Sequence, residues 1–324
     1  MVSNIIVIGK IAYKMKFKLS KDFFSVFDTN NSDSFENVGD LKRELGGMAS
    51  NIVYGLTVLG STPTLVSQVG RDFDCFYKTY FEKLGVNLKL FYDNEKETAC
   101  LYYITDEMDH LIILQQNNCY TYFAEQTLKD KLSLNGKNCY SVAFVGTGKV
   151  EADVKFLSEL HEKKMSFPVI YSLDNNVSEI TQWRLPQILD KISILVCEES
   201  ELQILEEKAK ENRNEILKKY PQLKYIISLE HRDRIIIYSQ EMKMKVSEGP
   251  IDDPDSELSA PWKDAFKAGI IYGISNRQPM SETAKLAASL ASYSLEARGD
   301  HYYSPSVEQV QLRAFEVKIV RKNL

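Results

Sequence analysis

The sequence predicts an α/β fold in which helices cover both faces of a central, mainly parallel sheet. Short runs rich in β-branched residues alternate with segments of helical periodicity along most of the chain, as in repeated βα units. The runs are largely apolar, which is typical of strands that are buried on both faces. With 324 residues, 44% of them hydrophobic, the chain can bury one large core or two smaller ones.

These patterns place the elements of the α/β part in order. Buried strands are expected at Asn4–Ile8, Thr64–Val69, Ser141–Val145, Val169–Ser172, Ile192–Val196 and Tyr225–Leu229. Helices are expected at Asn51–Leu59, Phe73–Leu84, Glu151–His161, Glu198–Lys208, Trp262–Ile274 and Ser281–Ala297. The last helix carries a narrow face of alanines, which predicts close packing against another helix, and Gly299 is expected to end it in a left-handed conformation.

Two stretches, residues 12–42 and 90–118, break this rhythm. Their residues alternate between apolar and polar, which predicts exposed antiparallel strands outside the main sheet. Residues 247–259 are rich in Asp, Ser and Pro and are expected to form a loop.

Composition argues against several classes of protein. The formal net charge of -5 gives no electrostatic reason to expect nucleic-acid binding. No apolar run approaches the length of a membrane span, so no membrane association is expected. The five cysteines are widely spaced and lack paired-ligand spacing, which favours reduced thiols in a cytoplasmic protein over a zinc site or disulfides. The four histidines show no metal or triad spacing, and surface positions are expected for them.

Three segments resemble the signatures of one enzyme family. Residues 46–52 contain a glycine pair followed by Asn51, residues 69–73 form a Val-Gly-x-Asp turn, and residues 258–266 end in Asp-Ala-Phe. In this order and spacing they are similar to the PfkB (ribokinase-like) carbohydrate and nucleoside kinases. The resemblance covers essentially the whole chain and is greatest to the prokaryotic adenosine and nucleoside kinases.

The resemblance implies a ribokinase-like three-layer sandwich with a small β lid over the acceptor site. The resemblance is also compatible with a homodimer in which two copies of the chain pair through the lid. The implied division is a lid of residues 12–42 and 90–118 and a core of residues 1–11, 43–89 and 119–324.

The resemblance also implies a reaction, the transfer of the ATP γ-phosphate, with Mg²⁺, to a hydroxymethyl group of a small sugar or nucleoside. Asp264 stands at the position of the catalytic base, which must reach the acceptor hydroxyl. The alternative is that an acid in a first helical turn only complements the helix dipole, an effect of about 0.3 to 1 kcal/mol.

The phosphate cradle before that base departs from the family. Pro261, Trp262 and Lys263 stand where the family has Gly-Ala-Gly, and Leu258 replaces the Asp that opens the signature. Free N–H groups at a helix start bind phosphate, and Pro261 has none. Trp262 and Lys263 keep theirs, and the Lys263 ammonium adds positive charge. The alternative is that Pro261 simply starts an ordinary helix.

The expected nucleotide turn begins at Ser228. Glu230 and Asp233 replace the two glycines that the family has there, and acids beside phosphate are unfavourable unless His231 or Arg232 compensates.

At the pair that organises magnesium through water in the family, Glu201 is retained and Glu198 replaces an Asn. An added carboxylate can hold a cation directly or repel the triphosphate. The alternative is a solvated acidic first turn of a helix.

On the acceptor side, Gly46 and Gly47 are expected to form a close substrate-facing turn. Asn51 is expected to hydrogen-bond a sugar hydroxyl, unless it only caps the helix. Lys14 replaces a carboxylate that accepts from sugar hydroxyls in the family. Since an ammonium only donates, the expected ligand presents acceptors or negative charge, such as a phosphorylated or acidic sugar. The alternative is an exposed lid lysine.

Two functions therefore stay open, an active kinase and a catalytically silent relative that binds a ligand or partner. The retained Asp264 favours the first. The joint changes on the phosphate and acceptor sides favour the second.

Overall fold

The computed structural model describes residues 5–23, 38–133, 140–162, 167–173, 176–231, 233–247, 249, 251, 262–297 and 299–323. The strands are β1 (Ile5–Gly9), β2 (Ala12–Lys18), β3 (Lys42–Gly46), β4 (Thr64–Gly70), β5 (Asn87–Asp93), β6 (Ala99–Thr105), β7 (Leu111–Gln116), β8 (Val142–Gly146), β9 (Val169–Ser172), β10 (Ile194–Cys197), β11 (Tyr225–His231), β12 (Arg234–Tyr238), β13 (Met242–Val246) and β14 (Ile319–Asn323). The helices are α1 (Met48–Val58), α2 (Phe73–Phe76), α3 (Lys78–Lys83), α4 (Val150–Glu162), α5 (Leu185–Leu189), α6 (Glu199–Ala209), α7 (Arg213–Lys219), α8 (Trp262–Ser275), α9 (Met280–Leu295) and α10 (Val307–Ala314).

A ten-stranded sheet runs through the molecule in the order β14-β13-β12-β11-β10-β9-β8-β1-β4-β5. The strands from β11 to β5 in this order are parallel, and β12, β13 and β14 extend that sheet as antiparallel strands. The predicted central, mainly parallel sheet is confirmed.

Both faces of this sheet are buried. Since neighbouring side chains of a strand point to opposite faces, Ile5 and Val7 of β1 enter one core, and Ile6 and Ile8 enter the other. The first core also contains buried residues of α1, α8 and α9, and the second contains those of α4 to α7. The sheet is therefore the middle of three layers.

Helices α8 and α9 approach each other closely. A Cβ atom at Gly269 would lie 2.4 Å from the Cα of Ala287, so only glycine fits there. The close packing that the alanine face predicted is thus present. It sets the position of α8, whose first turn carries Asp264.

A second sheet of four strands, in the order β3-β2-β6-β7, comes from the two stretches that break the βα rhythm. The outer pairs are antiparallel, as expected, but the central pair, β2 with β6, is parallel. Strand β3 extends this sheet to Gly46, and β5 pairs with β4 in the main sheet. The division into a core and a lid domain stays a prediction.

Two local expectations were wrong. Residues 73–84 form two short helices, because the backbone leaves helical geometry at Tyr77 (φ -122°), whose ring packs 4.6 Å from that of Tyr13. Gly299 does not cap α9, because the helix ends at Leu295 with Glu296 as its C-cap residue. A Cβ atom at Gly299 would lie 2.4 Å from the Tyr302 ring, so this glycine makes room for an aromatic side chain.

None of the helices in the described ranges is long and apolar enough to cross a bilayer.

Candidate active site

Asp264 lies in the first turn of α8, where its carboxylate contacts the side chains of Asn51 and Lys267. Its Oδ2 atom accepts a hydrogen bond from the Asn51 amide nitrogen at 2.9 Å. Its Oδ1 atom lies 3.2 Å from the ammonium of Lys267, one turn further along α8. The packing of α1 against α8 thus brings together a carboxylate and an amide that are far apart in sequence. Lys267 was not expected from the sequence, although its (i, i+3) spacing from Asp264 was a signal.

The glycine pair and Asn51 form the start of α1. Gly47 precedes the helix with φ 91°, and a Cβ atom there would lie 2.6 Å from the Lys10 carbonyl oxygen, so glycine is required. A Cβ atom at Gly46 would lie 3.8 Å from Oδ2 of Asp300. Because α1 begins at Met48, Asn51 lies inside the helix, and the alternative that it caps the helix is wrong.

Lys14 is buried in the wall next to this turn. Only 2% of the residue is exposed, so the alternative of an exposed lid lysine is wrong. Its ammonium lies 2.9 Å from Oδ1 of Asp300 and 4.3 Å from the centre of the Tyr103 ring. Burial raises the pKa of Asp300, and the neighbouring Lys14 acts in the opposite direction. Asp300 was missed because nothing in the sequence links two residues that are 286 positions apart.

His301, next to Asp300, also belongs to this site, and the expectation of a surface residue was wrong. Its ring stacks on Tyr54 with centroids 4.5 Å apart, and its Nε2 atom lies 3.2 Å from the Asn51 carbonyl oxygen. Burial lowers the pKa of His301 to about 3, so the ring is neutral. The sequence carried no metal or triad spacing that could have revealed this contact.

On the phosphate side, Lys263 forms an ion pair with Glu198, which joins the first turn of α8 to the start of α6. Trp262 lines a crevice with Ile235 of β12 and Leu295 of α9, and it packs, partly buried, against the first core. Pro261 and Leu258 lie outside the described residues, as does the rest of the segment that would complete the cradle.

Glu198 and Glu201 form a capping box at the start of α6. The Glu201 carboxylate accepts from the Glu198 backbone N–H at 2.8 Å and is buried, so the alternative of a fully solvated acidic turn is wrong for Glu201. Within the described ranges, no group of His, Cys, Asp and Glu has the arrangement to hold a metal ion. The two carboxylates are used by the protein itself and do not fit direct ligation of magnesium.

Ser228 points at α6. Its hydroxyl donates to Glu199 at 2.8 Å, and Arg213 donates to both oxygens of the same carboxylate. Burial acts to raise the pKa of Glu199, but the hydrogen bonds from Arg213 and Ser228 outweigh it and leave that pKa below its usual value. This network ties the middle of β11 to α6 and α7.

The acids of the expected nucleotide turn are paired on the surface of the β11–β12 hairpin. Glu230 lies 3.0 Å from Arg234, and Asp233 lies 2.5 Å from His231. Arg232 lies outside the described residues. The compensating charge for Glu230 comes from Arg234, which the sequence reasoning did not consider.

Comparison with known proteins identifies the family. Residues 3–306 match the sequence model of the pfkB family carbohydrate kinases. The chain belongs to this family. A nucleoside kinase of Methanocaldococcus jannaschii is 23% identical over 276 residues, which are 83% of this chain and 85% of that relative.

Solved structures of the pfkB and ribokinase type share the fold. The crystal structure of a Methanocaldococcus jannaschii nucleoside kinase, an archaeal member of the ribokinase family, has a TM-score of 0.80 at 20% identity and covers 97% of this chain and 98% of that chain. Burkholderia thailandensis nucleoside kinase in complex with inosine has a TM-score of 0.76 at 17% identity, over 96% and 97% of the two chains. Arabidopsis thaliana ribokinase complexed with ribose and ATP has a TM-score of 0.74 at 14% identity, over 97% and 99%. The predicted ribokinase-like fold is confirmed.

Proposed function

We propose that this pfkB-family chain is an ATP-dependent kinase that phosphorylates a hydroxymethyl group of a nucleoside or sugar. The observation that carries the proposal is the contact between Asp264 and Asn51, which places a carboxylate base beside an amide that can hold a sugar hydroxyl. The related proteins support it, since they include nucleoside kinases, a complex with inosine and a complex with ribose and ATP.

In the proposed reaction, Asp264 takes the proton of the acceptor hydroxyl as that oxygen attacks the γ-phosphorus, the bond between the γ-phosphorus and the β,γ-bridging oxygen breaks, and ADP leaves. The two oxygens of the Asp264 carboxylate are held by Asn51 from α1 and by Lys267 from the next turn of α8. A fixed carboxylate loses no further rotational freedom when the acceptor binds, which lowers the barrier to proton transfer. The acceptor lies against the Gly46–Gly47 turn.

The wall formed by Lys14 and Asp300 suits a neutral acceptor. One N–H of Lys14 is used by Asp300, whose Oδ2 atom receives no hydrogen bond from the described residues. Because a positive and a negative charge are paired there, the wall carries no net charge that would select an acidic ligand. The expectation of an acidic or phosphorylated ligand rested on an unpaired ammonium, and this pairing removes its basis.

ATP would be bound by the backbone N–H groups of Trp262 and Lys263 and by the Lys263 ammonium. Ser228 and Glu230, which were expected in a nucleotide turn, lie in strand β11 and would face the nucleotide from there. Lys263 must exchange Glu198 for phosphate when the nucleotide binds. None of the described residues would ligate Mg²⁺ directly. Glu198 and Glu201 would act on the ion at most through water.

A catalytically silent, ligand-binding protein is the second candidate. The phosphate-facing side chains are engaged within the protein, Lys263 with Glu198 and Ser228 with Glu199. Freeing them costs part of the binding energy of the nucleotide, which favours weak ATP binding.

We also propose that two copies pair through the lid sheet. Strand β7 lies at the edge of that sheet, and an exposed apolar edge strand is a template for pairing. Ile113→Lys should reduce the mass measured by light scattering while the circular dichroism spectrum stays that of the parent. A parental chain that is monomeric at micromolar concentration contradicts this. The exposed apolar residues of β7 are Leu111, Ile112, Ile113 and Leu114, at 36% to 53%.

The kinase proposal is tested with ATP, ADP and a panel of nucleosides and sugars, first by thermal shift and calorimetry and then by coupled ADP release. Asp264→Asn should lower turnover by about a hundredfold to ten-thousandfold, because the amide cannot accept the proton. It also places an amide N–H against either Asn51 or Lys267, so its fold must be verified by circular dichroism. A parent that binds acceptor and ATP without releasing ADP supports the silent candidate, and an Asp264→Asn variant at parental rate removes Asp264 from the mechanism.

A further inference from the structure

The loop that follows α9 places His301 against one face of α1. Ser50, Asn51 and Tyr54 lie on that face at helical spacing, and each contacts the imidazole. The Tyr54 ring stacks on it with 3° between the planes, and the Tyr80 ring of α3 stacks on it with centroids 5.8 Å apart. The orientation of the imidazole is therefore set by two aromatic rings and by the polar face of a helix.

Hydrogen-bonding chemistry determines the direction of each contact in this cluster. The Asp264 carboxylate only accepts, so the amide nitrogen of Asn51 must donate to it. The Asn51 carbonyl oxygen then faces Nε2 of His301 at 3.2 Å, and Nε2 must carry the proton. In a neutral imidazole the other nitrogen accepts, and the Tyr80 hydroxyl donates to Nδ1 at 3.1 Å.

These contacts form one directed chain from Tyr80 through His301 and Asn51 to Asp264. If the Asn51 amide turned by 180°, its NH₂ group would face the N–H of His301, and its oxygen would face the Asp264 carboxylate. Both contacts would set two donors or two acceptors against each other, and the hydrogen bonds of the cluster would be lost. The chain therefore holds the amide in one orientation.

We propose that His301 is a positioning residue of the acceptor site, which holds the Asn51 amide in the orientation that serves Asp264 and the acceptor. The proposal rests on the proposed function, because Asn51 is assigned to acceptor binding there. His301 acts through Asn51 and needs no contact with the acceptor or the phosphate. Residues that orient a binding group from behind in this way have large effects on the site they support.

Two substitutions separate the hydrogen bond from the aromatic packing. His301→Phe keeps a ring between the tyrosines and removes both nitrogens. His301→Gln keeps an N–H that can reach the Asn51 oxygen and removes the ring. Acceptor affinity should depend on the N–H donor, so His301→Gln should bind the acceptor more tightly than His301→Phe. Stability should depend on the aromatic ring, so His301→Phe should be the more stable of the two.

The measurements are kcat/KM by ADP release and affinity by calorimetry, with inosine and ribose as acceptors, together with thermal unfolding. His301→Phe should lose roughly ten- to a hundredfold in acceptor affinity and in kcat/KM, whereas His301→Gln should stay within a few-fold of the parent. The KM for ATP should be unchanged in both. Acceptor affinity that tracks the melting temperature across the variants overturns the proposal, because a purely structural role predicts that result.

The tautomer of His301 is a second readout that needs no activity. In ¹⁵N-histidine-labelled parent at pH 7, the His301 signals should be those of a neutral ring protonated at Nε2, identified by their loss in His301→Gln. A ring protonated at Nδ1, or at both nitrogens, overturns the chain of hydrogen bonds. The expected tautomer in a parent that binds neither inosine nor ribose supports the chain and contradicts the proposed function, so the two failures are distinguishable.

Discussion

Replacing Lys14 by Met removes the positive charge from a buried ion pair and leaves a carboxylate behind. Side-chain exposures of 2% and 6% for Lys14 and Asp300 mean that water cannot replace the lost partner. Two unit charges about 4 Å apart attract by about 4 kcal/mol at an effective dielectric constant of about 20. Breaking a buried pair from one side typically costs about 3 to 5 kcal/mol. We therefore expect Lys14→Met to lower the free energy of unfolding by about 3 to 5 kcal/mol.

The matched control lies on the same strand. Lys18 pairs with Asp109 at 2.6 Å, but the two side chains are 52% and 80% exposed. Such a pair contributes about 1 kcal/mol or less, so Lys18→Met should be nearly neutral. Both variants are compared with the parent by urea unfolding, and Lys14→Met, Asp300→Asn and the double variant complete a double-mutant cycle. A favourable coupling between Lys14 and Asp300 is expected.

The pH dependence of Lys14→Met has a defined sign. Burial already raises the pKa of Asp300 in the parent, and losing the Lys14 ammonium, which acts in the opposite direction, raises the folded-state pKa further. Between the unfolded and the folded pKa the folded state binds more protons than the unfolded state, so the stability of this variant falls as the pH rises through that window. Its deficit relative to the parent should be larger at pH 8 than at pH 5. Equal effects of Lys14→Met and Lys18→Met, or a cycle without coupling, would refute the reasoning.

Three further outcomes are expected. Glycine at positions 230, 233 and 261 together should tighten ATP binding in calorimetry, because it removes two acids and a proline that has no N–H; unchanged affinity would mean that these positions do not line the phosphate site. Burial lowers the pKa of His301 to about 3, and the unfolded value is about 6.5, so the unfolded state alone takes up this proton as the pH falls. As the pH falls below 6.5, the parent should therefore lose up to about 1.4 kcal/mol of stability per pH unit more than His301→Phe does. Urea unfolding of both proteins over this pH range measures the difference, and parallel pH dependences would mean that the ring titrates normally. Gly269→Ala places a Cβ atom 2.4 Å from Ala287 and should destabilise by about 1 to 3 kcal/mol in thermal unfolding, whereas Ala268→Gly tests the loss of a methyl group without a clash.

Short-range patterns in the chain were sufficient for the architecture and the family. The apolar runs and helical periodicities predict the buried strands and the two-sided cover, since these depend on residues two to four positions apart. The glycine pair, Asn51 and Asp264 were recognisable because a substrate-facing turn and a helix-start base need particular residue types at a fixed spacing. The same local reasoning failed at Gly299, which lies beside the Tyr302 ring, and at Tyr77, whose ring packs on that of Tyr13 from another segment.

The state of the site was decided by tertiary contacts. In the sequence, Lys14 has no neighbour of opposite charge that would mark it as paired. In the fold, a loop 286 residues away supplies Asp300, and because of this pair the proposed acceptor is neutral and not acidic. His301 has no neighbour in sequence that marks it, yet folding sets it against Asn51. The physical reason is that the cost of burying a charge or an imidazole depends on what surrounds it, and those surroundings are assembled from distant parts of the chain. The sequence by itself therefore determined the kind of protein this is, and only the folded structure determined which partners its polar residues have.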